Sequence, residues 1–328
     1  MRPLPLLGWL ALAGLTVTPP SLLGSAGPEA AAFDGRVTVT RAPLPDLGPG
    51  SPLIPRDRVV LSGGWPFGGL SALAVAPRGD RLIALADTGR TITLRPDWRA
   101  PRWPTTISPL PARPGDGPSK SARDSESLAW AGGGWWIGFE STNELRRFSR
   151  GFTTVNAAYR SPALATLPIT LGLESLAALP DGRLLGIAEK VRSDGRARLF
   201  VWTLDGFGRV AAERLAWFRP PAGYRATDAV ALDDRRLLVL VRRFAVPEGF
   251  TSALVLVPLS PTPGFGEDVL SGQVVARFGV GADNAEGLAL SREDGRTLVW
   301  VVSDDNLSPL QRTVLTRYWW SDPAGPRG

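Results

Sequence analysis

Four carboxylates recur in matching surroundings along the chain: Glu126 in SESLA, Glu174 in LESLA, Asp228 in TDAVA and Glu286 in AEGLA, with Ser71 of LSALA in the corresponding place of a fifth copy. The five positions are spaced 55, 48, 54 and 58 residues apart. Carboxylates gathered at one site repel one another unless a cation, an arginine or a shared proton compensates. A hard cation with six to eight oxygen ligands satisfies such a set, and Asn284 or backbone carbonyls could complete it. The competing reading is a staple, in which each carboxylate accepts backbone N–H groups of the neighbouring repeat and no ligand is involved.

A second group of charges ends the strand that follows each copy: Asp87, Glu140, Glu189, Arg242 with Arg243, and Asp304-Asp305-Asn306. Three adjacent oxygen-bearing side chains make the last group a candidate metal contributor, although it lacks the glycine and twelve-residue spacing of an EF-hand loop. The candidate metal ligands are therefore Glu126, Glu174, Asp228, Glu286 and Asp304. Arg123, beside Asp124, and Arg243 could give bidentate donors to a phosphate or carboxylate, or simply pair with the acidic ring. Ser71 is a further candidate for substrate binding. Its GGLSAL setting is not the Gly-x-Ser-x-Gly elbow of a nucleophilic hydrolase.

Composition narrows the chemistry. The chain has neither histidine nor cysteine. That excludes a Ser-His-Asp relay, histidine acid–base catalysis, histidine-ligated zinc, thiolate chemistry and disulfides. A metal site must use oxygen ligands, which favours calcium or magnesium over zinc or copper. If an ester is cleaved, water activated by a carboxylate beside a metal fits best, with Glu126 and Glu286 as the candidate catalytic residues. The formal charge of +6 is carried almost wholly by arginine, Lys120 and Lys190 being the only lysines. The arginines are scattered, without a basic run or the aromatic–basic signature of a nucleic-acid motif. The expected partner is a small anionic or ester substrate, and the expected state is a monomer.

The elements that must position these residues are short strands. Runs such as Arg81 to Ala86, Arg183 to Ala188, Arg236 to Val241 and Thr297 to Val302 alternate with Pro-, Gly- and Asp-rich turns, and no amphipathic helix of ten or more residues stands out. Repeats of about fifty residues with about four short strands each describe the blades of an all-β propeller. Five copies favour five blades, with a sixth built from N-terminal strands left open. The last copy has room for only three strands, so Arg36 to Thr40 or Arg58 to Leu61 is expected to complete it and close the ring.

The N-terminus reads as a secretory signal over residues 1–26. One positive charge precedes an apolar run of about a dozen residues, Leu6 to Val17, too short to cross roughly 30 Å of hydrocarbon. An uncleaved anchor is the alternative. The remaining divisions are a Pro/Gly-rich segment at 27–57, the propeller at 58–320 and a tail at 321–328. A periplasmic or secreted protein without a later membrane span is expected.

The phrases GGLSALAV, RDSESLA, GLESLAALPDGRLLGIAEK, NAEGLAL and LVWVVSDDN, taken in order, resemble the bacterial phytase-like propeller family, also named for esterase-like activity of phytase. The resemblance runs from about Gly63 to Tyr318. It implies hydrolysis of a phosphate or carboxylate ester, calcium as the cation, and a site in the acidic loops. A calcium-dependent ligand-binding or scaffold propeller without catalysis is the alternative. The fourth copy departs from the pattern in two places, with Asp228 for glutamate and Val241-Arg242-Arg243-Phe244 where an acidic residue resembles the usual form.

Overall fold

The computed structural model describes residues 33–322 apart from 114–115, 117–118, 120–121, 260–268, 279–283 and 309–310. The signal-segment reading at 1–26 therefore lies outside the described residues, as does most of the tail. Two N-terminal strands come first, β1 (Arg36–Arg41) and β2 (Leu53–Ser62). Four-stranded units follow. The first holds β3 (Leu70–Val75), β4 (Leu82–Ala86), β5 (Arg90–Leu94) and β6 (Arg102–Pro109), and the second holds β7 (Ser125–Ala131), β8 (Gly134–Phe139), β9 (Glu144–Phe148) and β10 (Val155–Tyr159). The third has β11 (Leu173–Ala178), β12 (Leu184–Val191), β13 (Ala197–Leu204) and β14 (Val210–Phe218). The fourth has β15 (Arg225–Ala231), β16 (Arg236–Ala245) and β17 (Gly249–Pro258), then β19 (Gln273–Phe278), with the two-residue β18 (Val269–Leu270) parallel to β14. The last contains β20 (Asn284–Glu293), β21 (Arg296–Asp304) and β22 (Thr313–Trp320), completed by β2.

Neighbouring strands within each unit are antiparallel, and the first strands β3, β7, β11, β15 and β20 touch in that cyclic order, β20 returning to β3. This is an all-β, propeller-like ring, and among the described residues it has no α-helix. The seam is closed by N-terminal sequence: β2 pairs with β22 from Leu53↔Trp320 to Leu61↔Thr313. β1 then lies between β2 and β6, joining the outer edges of the last and first units into one sheet. Both expected closing segments are used, one in the ladder and one across the seam. Closure removes two exposed sheet edges, those of β22 and β6.

The strand sequences explain the layering. β4 (LIALA) and β8 (GWWIGF) are buried at every residue, because inner strands are covered on both faces and so read as apolar runs without alternation. The outer strand β10 (VNAAY) alternates half-buried and exposed residues. Core packing sits between units: Ala72 and Leu85 of the first meet Leu128, Trp135 and Ile137 of the second. Leu199, Val201 and Phe218 of the third meet Val239, Val241 and Val255 of the fourth. The hairpin turns joining first to second strands in the first and third units use glycine in the left-handed region, Gly79 at φ +73° and Gly182 at +88°. No helix among the described residues is long and apolar enough to cross a membrane.

Candidate functional site: an acidic mouth built on five bulges

The first strand of each unit carries one irregularity near its start, and in four of the five units it falls at the repeat position. Leu70 pairs with Ala86 and Ala72 with Leu85, leaving Ser71 unmatched. In the same way Glu126 is left out between Ser125 and Ser127, Glu174 between Leu173 and Ser175, and Glu286 between Ala285 and Gly287. A bulge of this kind releases one residue from the ladder and re-aims its side chain. Three glutamates and a serine from four units are thereby held at one end of the ring.

The fourth unit corrects the sequence alignment by one residue. Ala226 pairs with Val241 and Asp228 with Leu240, so the bulged residue is Thr227. Asp228 takes the next position, where the second and third units have Ser127 and Ser175. There it turns into the protein: Oδ1 accepts the N–H of Ala229 at 2.8 Å, Oδ2 that of Leu288 at 2.7 Å, and the carboxylate also accepts the N–H of Leu73. Asp228 thus behaves as the backbone staple, binding the fourth unit to the fifth and first. Burial nevertheless pushes its carboxyl well above the usual range. Ser127 plays the parallel role between second and third units, donating to Leu173 O at 3.0 Å. Thr227 donates to Ala285 O at 3.1 Å and Ser71 to Ser125 O at 2.6 Å. The Ser71 hydroxyl is therefore engaged in an inter-unit bond within the core.

Around the bulged glutamates stand the charges that end each second strand. One carboxylate oxygen from each of Asp124, Glu126 and Glu140 lies within 4.8 Å of the others, and Glu140, Glu174 and Glu189 form a second such triad. Glu174, Glu189 and Glu286 are buried. Burial comes first in raising Glu126 and Glu174 well above the ordinary carboxylate range, and neighbouring acids add to it: Glu174, Asp124, Glu140 and Asp87 around Glu126, and Glu189, Glu286 and Glu140 around Glu174. Glu140 rises for the same reason, moderated by the N–H of Gly172, which it accepts at 3.1 Å. Burial also lifts Asp304, helped by Glu286, Asp305 and Asp87, and its Oδ1 is buried without a hydrogen-bond partner among the described residues.

The other side of the mouth is neutralised. Arg242 Nη1 donates to Asn284 Oδ1 at 2.6 Å and, in a close contact, to Glu286 Oε1, while Nη2 donates to Glu189 Oε1 at 3.2 Å. Asn284 Nδ2 also donates to Glu286 Oε1 at 2.8 Å. Burial outweighs these bonds and leaves the Glu286 carboxyl raised to about 7. Arg243, next in the strand, faces the other way by the two-residue period, with its guanidinium over the Tyr224 ring at 5.6 Å. Arg123 is exposed, its backbone packed over Gly89. Of the predicted residues, Glu126, Glu174, Glu286 and Asp304 are brought together; Ser71 and Asp228 point into inter-unit bonds, and Arg243 lies outside the ring. Asp124, Glu140 and Glu189 stand outside the ligand set assigned from the sequence, although Glu140 and Glu189 belong to its second group of charges and Asn284 is among the completing ligands it offers. The first three end or begin strands next to the repeat acids, a signal visible in the repeat itself.

The donor set is oxygen throughout, and no guanidinium lies within ion-pair distance of Glu126 or Glu140 among the described residues. Glu126 and Glu140, crowded and raised, are chemically suited to a hard cation. The fold and site define a propeller-like protein with an acidic mouth at one end of the ring. The chain belongs to the phytase-like family (esterase-like activity of phytase), whose model matches residues 65–307. No curated protein matches the sequence significantly. Among solved structures it is similar to that titled "Structure of U3-55K", with a TM-score of 0.41, 11% identity, and 80% of this chain and 99% of that one covered. It is also similar to the hydrazine synthase of Kuenenia stuttgartiensis, with a TM-score of 0.38, 13% identity, and 73% and 78% covered.

Proposed function

We propose that this chain is an exported hydrolase that cleaves a phosphate or carboxylate ester at its acidic mouth, assisted by a divalent cation for which calcium is the best candidate. The observation that carries this reading is a pair of carboxylate triads sharing Glu140, Asp124–Glu126–Glu140 and Glu140–Glu174–Glu189, each with one oxygen per residue within 4.8 Å of the others. When bound, the cation supplies Lewis-acid polarisation of an ester oxygen and neutralises developing charge. Asp124, Glu126 and Glu140 would hold it, with Glu174 in support. Glu286, with its carboxyl near 7, is suited to hold or release a proton at neutral pH, and Glu126 is the second candidate for that role. Ser71 is left out of the chemistry because its hydroxyl bonds Ser125 O. Export rests on the signal-like pattern of residues 1–26, and the small ester substrate on the resemblance to the phytase-like family.

A second reading, a calcium-dependent binding propeller without turnover, is supported by the Arg242–Glu286–Asn284 link, which ties up one side of the mouth. The discriminating experiment is release of phosphate or alcohol from a panel of phosphate and carboxylate esters, with calcium and with chelator. Calcium-dependent turnover that falls in Glu126→Gln supports the hydrolase. A calcium-induced rise in Tm without turnover on any ester supports the binding protein.

A further inference from the structure

The interface between the first and second units changes character toward its outer strands. Its inner part is apolar, with Ile83 and Leu85 packed against Trp135 and Phe152. Farther out, the same face of the first unit carries hydroxyls: Ile83 pairs with Thr93, which pairs with Thr106, and Leu85 with Thr91, which pairs with Ser108. The matching face of the third unit holds Leu199, Val201 and Ala216, buried against the fourth. Here the two walls instead part into a cleft of about 350 Å³, with the hydroxyls on one side and Arg150 and Phe152 on the other. The cleft runs down to the β3–β4 turn bearing Arg78, which lies at the end of β3 away from Ser71 and the acidic mouth. Thr91 Oγ1 donates to Ser108 O at 3.3 Å, whereas the hydroxyls of Thr93, Thr106 and Ser108 have no hydrogen-bond partner among the described residues. Arg81 is paired with Asp80 at 2.8 Å, but Arg78 and Arg150 have no ion pair among the described residues. Phe152 adopts φ +56°, an unfavourable region for an aromatic residue, and stacks on Trp135 at 5.4 Å. Packing thus fixes a half-buried ring in the cleft wall. Free hydroxyls, an aromatic ring and guanidiniums without a counter-charge match a ligand that is polyhydroxylated, apolar on one face and anionic.

We propose that this cleft binds a sugar acid, with the sugar ring against Phe152, its hydroxyls on Thr93, Thr106 and Ser108, and its carboxylate on Arg150, to which Arg78 adds positive charge. The site lies apart from the acidic mouth and does not depend on the hydrolase reading. Galacturonate is titrated calorimetrically into the full chain with a chelator present, so that no metal bridges the ligand to the mouth. Galactose is the neutral control and trigalacturonate the chain form. Galacturonate binds once per chain, about tenfold or more tighter than galactose. Arg150→Gln brings galacturonate down to the level of galactose, Thr106→Val weakens it several-fold, and Glu126→Gln leaves it unchanged. Trigalacturonate binding more tightly than galacturonate supports the proposal with an acidic polysaccharide as the source, and equal binding supports it with a free sugar acid.

No saturable binding of galacturonate or trigalacturonate, galactose binding as tightly as galacturonate, or wild-type affinity in both Arg150→Gln and Thr106→Val overturns the proposal. Binding that is lost in Glu126→Gln but kept in Arg150→Gln places the ligand at the mouth and overturns it as well. Arg150 and Thr106 are exposed, so both variants should fold. If circular dichroism shows that Arg150→Gln does not, Arg78→Gln decides: weakened galacturonate binding supports the proposal and unchanged binding overturns it.

Discussion

Asp228 Oδ2 accepts the backbone N–H of Leu288 at 2.7 Å, so a carboxylate that the sequence places in the acidic ring instead ties the fourth unit of the propeller to the fifth. Its other oxygen takes the N–H of Ala229, and Leu73 of the first unit is a third donor. Replacing Asp228 with alanine strands buried donors from three strands. Each unsatisfied group costs on the order of 1–3 kcal/mol, so Asp228→Ala should lose several kcal/mol in urea unfolding. Calcium affinity of the folded fraction should stay near wild type, since the side chain faces backbone rather than the mouth.

The hydroxyls between units give a sharper contrast. Ser127 Oγ donates to Leu173 O at 3.0 Å, whereas the fully buried Ser175 Oγ has no hydrogen-bond partner among the described residues. Ser127→Ala is expected to cost about 1 kcal/mol, and Ser175→Ala to be neutral or slightly stabilising, because it removes a hydroxyl that is buried without a bond. Chemical denaturation of the two single variants checks the pair.

Ring closure depends on β2. Val59 and Leu61 are buried, and their strand is the only cover for the outer edge of β22 among the described residues. A chain starting at residue 33 should fold with native cooperativity. One starting at residue 63 should lose the transition or associate through the exposed edge. Circular dichroism melts and light scattering distinguish the two. Leu61→Ala in the full chain should cost about 2–5 kcal/mol.

The repeat made much of this legible. Short apolar strands, glycine turns and the fifty-residue period carry the all-β ring, and the three-strand final copy requires a strand from the N-terminus. The acidic loops likewise point to one end of the ring. The sequence misleads at Asp228, because Val230-Ala231 after it imitates the Leu-Ala after Glu126, Glu174 and Glu286. Which residue leaves the ladder is decided by the hydrogen-bond register, and there Thr227 bulges while Asp228 finds N–H donors on two neighbouring strands. Arg242 was legible only as a departure from pattern. Its bonds to Asn284, Glu286 and Glu189 join residues distant in the chain, and no local spacing encodes them.

Arg243 provides a control for the rim. Its guanidinium lies over Tyr224 rather than at the acids, so Arg243→Ala should leave calcium binding unchanged, while Glu126→Gln weakens it about tenfold or more. Calorimetric titration of both variants tests whether the strand's two-residue period separates mouth from flank.

The central claim, that the mouth is a cation site, is tested most directly by Tm between pH 4 and 8, with calcium and with chelator. Without metal, the folded state raises Glu126, Glu174 and Glu140, and Glu286 to about 7. It therefore binds protons more tightly than the unfolded chain. That contribution is fully present below the unfolded carboxylate pKa of about 4.3 and is lost as pH rises through the folded values, so the chelated protein should lose Tm from about pH 4.5 upward, through 7 and beyond. A bound cation favours the ionised carboxylates and reverses the trend, making the calcium-induced rise in Tm larger at pH 8 than at pH 4. Curves with calcium and with chelator that coincide at every pH would contradict the account and leave the acidic ring a staple like Asp228.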